Sequence, residues 1–339
     1  MGYRVTLISG DGVGPEVVGA ARAVLDATGV GIEWEERGPE EAGASVRECG
    51  VALKGPTSTP VAGARSFNIA LRRELDLHTS IRPVRSLAPA AARGIDLVVA
   101  RMNGEDLYAG IELEPGSAAA AEVLALAGAD LPADTGLSLK PLSETEIRRS
   151  TRAALAWCRD AGRTRVTIAH KATVMRQTDG VFLRVAREEA EAAGLEVGDM
   201  LVDTICGELA RRPGRFDVLL APVMYGDLLS DLAAGLAGGP GIAPNANLGD
   251  TAAVFEPVHG SAPRIAGRGI ANPFATILSG AMLLRHLGED AAALNVEGAV
   301  AAAAEQGVVT YDLTASGDDS GGASTAEVAE FVAELAAGA

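Results

Sequence analysis

Gly10-Asp11-Gly12-Val13-Gly14 follows an apolar run at residues 5–9, and the reading of this turn decides the fold. A glycine-rich turn between a strand and a helix is where a dinucleotide-binding fold cradles a pyrophosphate. That fold uses G-x-G-x-x-G and an acidic residue at the end of a second strand about twenty residues on. Here the spacing is G-x-G-x-G, and we read no acidic strand end completing the pattern. The stretch reads as a tight structural turn, and a Rossmann fold is set aside.

Outward from this turn, strand-like and helix-like segments alternate. Residues 15–25 have helical periodicity with Pro15 near the start, where proline is well tolerated. Apolar strands are predicted at 96–100, 165–169 and 216–222. A helix is predicted over 143–161, with Ser143 as N-cap and Glu146 at capping-box spacing. A buried helix is expected over 272–287. Residues 116–136 read as an arm or insertion, and the Gly/Ser/Asp-rich stretch 316–324 as a loop before a last helix. The alternation argues for an α/β class, and 339 residues suggest two domains or one large unit.

The composition narrows the partners. A net charge of −16 argues against non-specific nucleic-acid binding, which needs Lys and Arg against phosphates. Aromatics are only 4%, so the core must be aliphatic and Ala-rich. Cys49, Cys158 and Cys206 are far apart with no C-x-x-C spacing, as expected of a reduced, cytoplasmic protein. No apolar run reaches the roughly 18 residues a membrane span needs, and the start enters a strand without room for a signal segment.

Five motifs carry chemistry. In Gly226-Asp227-Leu228-Leu229-Ser230-Asp231, two acids four apart share a helix face. Unpartnered, they cost roughly 0.2–0.5 kcal/mol, a penalty that a hard cation such as Mg²⁺ or Mn²⁺ removes. Taken alone, they read equally as solvated acids at a helix N-terminus. Ser66, Asn68 and Arg72 recur at roughly helical spacing, while Arg82 precedes Pro83 and Arg101 ends the 96–100 strand. Three arginines can hold carboxylates through paired hydrogen bonds, though each singly is an ordinary surface residue. Lys171, after a strand end, and Tyr108, in Glu105-Asp106-Leu107-Tyr108, can form an acid–base pair if their environments shift them. The loop Glu256-Pro257-Val258-His259-Gly260-Ser261-Ala262-Pro263, with Gly267 and Asn272-Pro273 after it, offers fixed backbone amides to a nucleotide.

In this order, the motifs resemble the β-decarboxylating dehydrogenases that act on isocitrate, homoisocitrate and 3-isopropylmalate. The resemblance runs from Gly10 to Tyr311. It implies a non-Rossmann α/β fold of two domains: residues 1–97 and 243–339 as the large one, 98–242 as a small one carrying dimer contacts and the metal site. It implies a homodimer with shared sites, in which Lys171 and Asp203 reach into the neighbour's site. Asp227, Asp231 and a second copy's Asp203 then hold Mg²⁺ or Mn²⁺. Arg72, Arg82 and Arg101 hold substrate carboxylates, and Ser66 and Asn68 meet the C3 substituent. Lys171 takes the C2 hydroxyl proton, and Tyr108 returns a proton to C3 after loss of carbon dioxide. His259, Gly260, Ser261, Ala262, Pro263, Arg264, Asn272 and Tyr311 bind the nicotinamide nucleotide.

Within that resemblance, Ser66-Phe67-Asn68 matches isocitrate enzymes, with Phe67 where Leu is usual. An isopropyl group would leave these polar groups unpaired, at about 1–3 kcal/mol each if buried, so an acidic C3 substituent is expected. Met102 and Gly104 depart from the family's Arg-Glu-Asn-Thr/Ser, Thr173 stands where Asn follows the Lys, and Val223 replaces an Asn before Gly-Asp-x-x-Ser-Asp. These fit either lineage drift or an enzyme for homoisocitrate or a phosphonate analogue such as phosphonomethylmalate. Arg264, where NAD-linked relatives carry Asp, and Tyr311-Asp312 point to NADP over NAD; Ile265 and Ala315 point the other way. Non-catalytic regulatory subunits occur among the relatives, but such a subunit would lack metal or base residues that this chain has. A tartrate or malate oxidoreductase would not need Ser66 and Asn68.

Overall fold

A computed structural model of the chain describes residues 2–58, 66–87, 94–314 and 321–338. Ala315 and residues 316–320 lie outside the described residues. The strands are β1 (Tyr3–Ile8), β2 (Ile32–Glu36), β3 (Val51–Lys54), β4 (Thr79–Arg85), β5 (Asp96–Met102), β6 (Ile111–Leu113), β7 (Leu137–Leu139), β8 (Arg165–His170), β9 (Glu196–Leu201), β10 (Val218–Ala221), β11 (Pro244–Leu248) and β12 (Ala253–Pro257). The helices are α1 (Gly14–Ala27), α2 (Pro39–Cys49), α3 (Phe67–Glu74), α4 (Ala118–Ala127), α5 (Glu144–Asp160), α6 (Asp179–Ala192), α7 (Val202–Arg211), α8 (Val223–Ala237), α9 (Phe274–His286), α10 (Asp290–Glu305) and α11 (Thr325–Ala337).

Ten strands form one sheet in the order β2-β1-β3-β12-β11-β4-β5-β10-β8-β9. β2, β1, β3 and β12 run parallel, and so do β5, β10, β8 and β9. β11 is antiparallel to β12 and β4, and β4 is antiparallel to β5. The two parallel blocks therefore run in opposite directions, which no doubly wound Rossmann sheet does. The exclusion rests on this order and not on the strand ends, because β2 does finish on acids; Glu35 is paired with Arg4 and Arg37. Residue 98 falls within β5 and residue 243 just before β11, so the sheet continues across both parts of the expected division.

The buried strands read as near-continuous apolar runs, as Val218-Leu219-Leu220-Ala221 of β10 does, because both faces are covered. Pro83 is tolerated in β4 because pairing to β11 covers Thr79–Ile81 only, leaving the later residues paired with β5 alone. The Ala-rich helices bury small side chains against one another, as Ala293, Ala299, Ala303 and Ala304 do on α10. Among the described residues, no helix is long and apolar enough to cross a membrane.

Several local expectations are adjusted. The 116–136 stretch contains α4, an exposed helix carried on the two-stranded ribbon β6–β7. Ser143 caps α5 by accepting from the Glu146 N–H at 3.3 Å, but its own N–H donates to Glu105 Oε2 at 2.6 Å, so the capping box is half formed. Arg101 does not end β5: the strand runs on to Met102, and Arg101 is fully buried within it. α8 begins at Val223, so Asp227 and Asp231 lie in its second and third turns instead of at its start. The dipole explanation for two acids at a helix N-terminus loses force there.

Candidate active site

The centre of the sheet carries a polar stripe where a core would be expected. Ser80 is the register partner of both Arg101 and Asn247, and Asn245 is that of Glu256. Cross-strand partners share a face, as do residues two apart, so Ser80, Arg82, Arg101, Asn245, Asn247 and Glu256 stand together. A one-residue slip would turn the whole set away. Ser80 Oγ donates to Asn245 Oδ1 at 2.7 Å, and Asn247 Nδ2 to Glu256 Oε1 at 2.7 Å. Lys54 Nζ lies 2.6 Å from Glu256 Oε2, and Arg72 Nη2 2.9 Å from Glu256 Oε1. Burial pushes the Glu256 carboxyl up, but the Lys54 and Arg72 charges win and hold it well below the usual range. The sequence reading missed Lys54, Asn245 and Asn247. The alternation Asn245-Ala246-Asn247 in a buried strand was the available signal.

Beside this stripe, α8 places Asp227 between two arginines. Asp227 Oδ1 is 2.9 Å from Arg82 Nη1 and 3.0 Å from Arg101 Nη1, while Tyr108 Oη donates to Asp227 Oδ2 at 2.5 Å. Gly226 permits the approach: a Cβ there would sit 2.5 Å from the Arg101 Cβ. Burial raises the Asp227 carboxyl, yet Arg101 and Arg82 outweigh it and bring its pKa to about 2. Asp231 goes the other way, raised by burial and by the Asp227 charge. Tyr108 is pushed up to about 12 by burial and by its bond to Asp227, so it holds its proton at neutral pH. Arg72 Nε, Arg82 Nε, Arg101 Nε and Arg101 Nη2 are buried without a hydrogen-bond acceptor among the described residues.

A cleft of about 190 Å³ opens next to these groups, lined by Lys54, Thr57, Asn68, Arg72, Arg82 and Glu256 among others. Asn68 and Arg72 lie one turn apart on α3, whereas Ser66 is the residue before that helix. Thr57 Oγ1 donates to Asn68 Oδ1 at 2.8 Å, which fixes the amide and turns its NH₂ end away from Thr57. Val258, His259 and Gly260 line the other side, at the start of the loop after β12. His259 Nε2 is buried without a hydrogen-bond partner among the described residues, and burial lowers the His259 pKa, favouring the neutral ring.

The opening glycine turn packs against this loop. Val13 N–H donates to Ser261 O at 2.9 Å, and Gly12, at φ +59°, lies so near that an added Cβ would stand 2.0 Å from Ser261 O. Ser58 Oγ and Ser261 Oγ are 2.9 Å apart. The turn is thus structural, as its spacing predicts, and its task is to shape a second loop. Ala262 takes the left-handed φ of +39°. Pro263 and Arg264 are exposed. Asn272 Oδ1 accepts the Phe274 N–H at 3.0 Å at the head of α9, and its Nδ2 donates to Asp312 Oδ2 at 3.0 Å, beside Tyr311.

Two expected site residues are not brought to this cluster. Lys171 follows β8 and Asp203 lies in the first turn of α7, and they pair with each other at 2.6 Å. Among the described residues no group of three or more His, Cys, Asp or Glu side chains could hold a metal ion, so one chain does not unite Asp203 with Asp227 and Asp231. The departures from the family pattern are also redistributed. Met102 and Val223 belong to the main hydrophobic core instead of the site edge, although the Val223 carbonyl accepts from Arg101 Nη1 at 3.3 Å. Thr173 is exposed.

A ten-stranded sheet of two opposed parallel blocks, with an arginine–aspartate–tyrosine cluster beside a small cleft, is the arrangement of an α/β enzyme. The family model for isocitrate/isopropylmalate dehydrogenase matches residues 4–332. The chain is 43% identical to an isocitrate/homoisocitrate dehydrogenase of Thermus thermophilus, covering 99% of this chain and 100% of that one. It is 38% identical to the human mitochondrial isocitrate dehydrogenase [NAD] subunit alpha, covering 91% and 85%. The crystal structure of isocitrate dehydrogenase from Methylococcus capsulatus superposes with a TM-score of 0.89 at 38% identity, covering 99% of both chains. The chain belongs to the isocitrate/isopropylmalate dehydrogenase family and is a β-decarboxylating dehydrogenase of isocitrate/homoisocitrate type.

Proposed function

We propose that this enzyme oxidises, at C2, a 2-hydroxy acid whose C3 substituent is itself acidic, and releases the β-carboxylate as carbon dioxide. The observation that carries this reading is the cluster of Arg72, Arg82 and Arg101 around Glu256 and Asp227, with Arg72 and Arg82 lining the cleft beside the fixed Asn68 amide. Such donors suit carboxylates and leave an alkyl group nothing to gain. The name of the Thermus relative favours isocitrate and homoisocitrate over 3-isopropylmalate.

The acids of α8 fit a divalent cation. Asp231 is raised by burial and by the neighbouring Asp227 charge, the penalty that a hard cation relieves. Asp227, Asp231 and Asp203 of a second copy would hold Mg²⁺ or Mn²⁺, which supplies Lewis-acid stabilisation of charge developing at the C2 oxygen. In the free chain Asp227 is the counter-charge of Arg82 and Arg101; substrate carboxylates take over that role and release it. Lys171 of the second copy takes the hydroxyl proton. Tyr108, protonated at neutral pH, delivers a proton to C3. The loop from His259 to Asn272 would hold the nicotinamide nucleotide, the hydride acceptor. The exposed Arg264 favours a 2′-phosphate, hence NADP.

A homodimer follows from the same reading. Asp203 and Lys171 stand apart from Asp227 within one chain. The arm and α8 expose Ile111, Leu126 at 82%, Leu131, Leu139, Met224 and Leu228, an apolar surface suited to a second copy. The test is reduction of NAD⁺ and NADP⁺ with Mn²⁺ over isocitrate, homoisocitrate, phosphonomethylmalate and 3-isopropylmalate. An acidic substrate should turn over best; preference for 3-isopropylmalate overturns the reading of Asn68 and the arginines.

A further inference from the structure

Away from the cleft, one lysine and two fully buried aspartates connect the elements that carry the proposed chemistry. Lys140 follows β7, and its side chain is only 11% exposed. Its Nζ lies 2.5 Å from Asp179 Oδ1, 3.6 Å from Asp106 Oδ1 and 4.6 Å from the centroid of the Tyr225 ring. Asp106 opens the short 3₁₀ turn that contains Tyr108, and its Oδ2 accepts the Met224 N–H at 2.9 Å in the first turn of α8. Its backbone N–H donates to Pro141 O at 2.9 Å, next to Lys140 itself. Asp179 opens α6, and its Oδ2 accepts the Lys171 N–H at 2.6 Å.

Stability alone is a weak account of this cluster. Two carboxylates share one ammonium, and a buried ionic group is often no more stabilising than apolar residues of the same volume. Asp106 also holds φ at +66°, a conformation that a non-glycine residue keeps only when its surroundings impose it. The surroundings here are Lys140, Pro141 and Met224. The chain has a large aliphatic core elsewhere, so fold strength does not call for such an arrangement.

We infer that Lys140 is a positioning residue for the proton-transfer pair: by holding Asp106 and Asp179 together it fixes the Tyr108 turn, the Lys171 loop and the first turn of α8 relative to one another. The inference rests on the roles proposed above for Tyr108 and Lys171. In the dimer, Tyr108 serves its own chain's site and Lys171 the other, so this ammonium also ties the two sites together. Of the substrate arginines, Arg72 sits on α3 and Arg82 on β4, while Arg101 on β5 donates to Val223 O in the first turn of α8.

The test uses Lys140→Met and the neutral triple variant Lys140→Met/Asp106→Asn/Asp179→Asn, which buries no unpaired charge. Displacements of about 1 Å cost about 100-fold in rate, so both variants should lose about that in kcat, with KM for the acidic substrate within about threefold. In a Tyr108→Phe background, Lys140→Met should cost less than it does in the wild type, because one of the two groups it positions is gone. If Lys140→Met fails to fold, the triple variant carries the same comparisons. Wild-type kcat in the triple variant, or full multiplication of the two losses, overturns the inference. If Tyr108→Phe and Lys171→Met abolish turnover while the Lys140 variants do not, this inference alone fails. If those two leave kcat unchanged, the catalytic reading fails and this one with it.

Discussion

Replacing Lys54 by Met tests whether the polar stripe in the sheet is a true charge network. Lys54 and Glu256 side chains are 1% and 7% exposed and 2.6 Å apart, so solvent screening is slight. At an effective dielectric of 20, the gross attraction is about 6 kcal/mol, and Arg72 at 2.9 Å supplies about as much. Removing one partner of a buried pair typically costs about 3–5 kcal/mol. Because Arg72 and Asn247 still hold Glu256, the lower end applies, about 3 kcal/mol at pH 7. The sign with pH follows from the carboxyl. In the wild type Glu256 is held below its ordinary 4.5, so its stabilisation is full above that pH and is lost as pH falls through the folded value. Without Lys54, burial is opposed by less positive charge and the Glu256 pKa rises. The stability gap between the two proteins should therefore be widest at neutral pH and narrow as pH falls toward 4.5 and below. Urea unfolding at matched protein concentration, repeated across pH, measures both quantities. A gap under about 1 kcal/mol at pH 7, or one that does not narrow, refutes the reasoning.

Tyr108→Phe should lower turnover by about 10²–10⁴-fold while substrate binding persists, since the arginines are untouched; calorimetric binding compared with steady-state kcat checks it, and equal activity removes Tyr108 from the mechanism. Mixing unfolded Tyr108→Phe and Lys171→Met chains and refolding them together should restore about a quarter of wild-type activity from two inactive parents, one intact site in each mixed dimer; no recovery would argue against shared sites. Arg264→Asp should shift kcat/KM from NADP toward NAD by about tenfold or more, as a phosphate contact is replaced by repulsion; an unchanged ratio counts against Arg264. Thr57→Leu frees the Asn68 amide to rotate, so it should raise KM for the acidic substrate about three- to tenfold, the equivalent of one hydrogen bond of about 1 kcal/mol; an unaltered KM would show that Asn68 needs no anchor.

Local pattern made much of this molecule legible. The G-x-G-x-G spacing excluded the dinucleotide turn because backbone geometry at a strand–helix junction depends on the residues that form it. The i,i+4 acids of Gly226–Asp231 shared a face wherever the helix began, so their adjacency survived an error of several residues in the start of α8. Arg82 and Arg101 were singled out by position, one before Pro83 and one at the end of an apolar run, and they meet at Asp227.

Other features depended on register and long-range packing, to which a linear reading is blind. Lys54 and Glu256 are joined only because β3 and β12 lie side by side. Lys140, Asp106 and Asp179 look like ordinary surface charges until three separate loops bury them on Tyr225. Met102 and Val223 looked like site departures from their place beside motif residues; strand alternation and helix packing put them in the core instead. Sequence by itself determined the family, the α/β class and the residue types able to hold carboxylates and a cation, because these follow from short-range spacing and chemistry. Only the tertiary structure decided which charges neutralise one another and which nitrogens remain for a ligand, because those depend on distances between segments far apart in the chain.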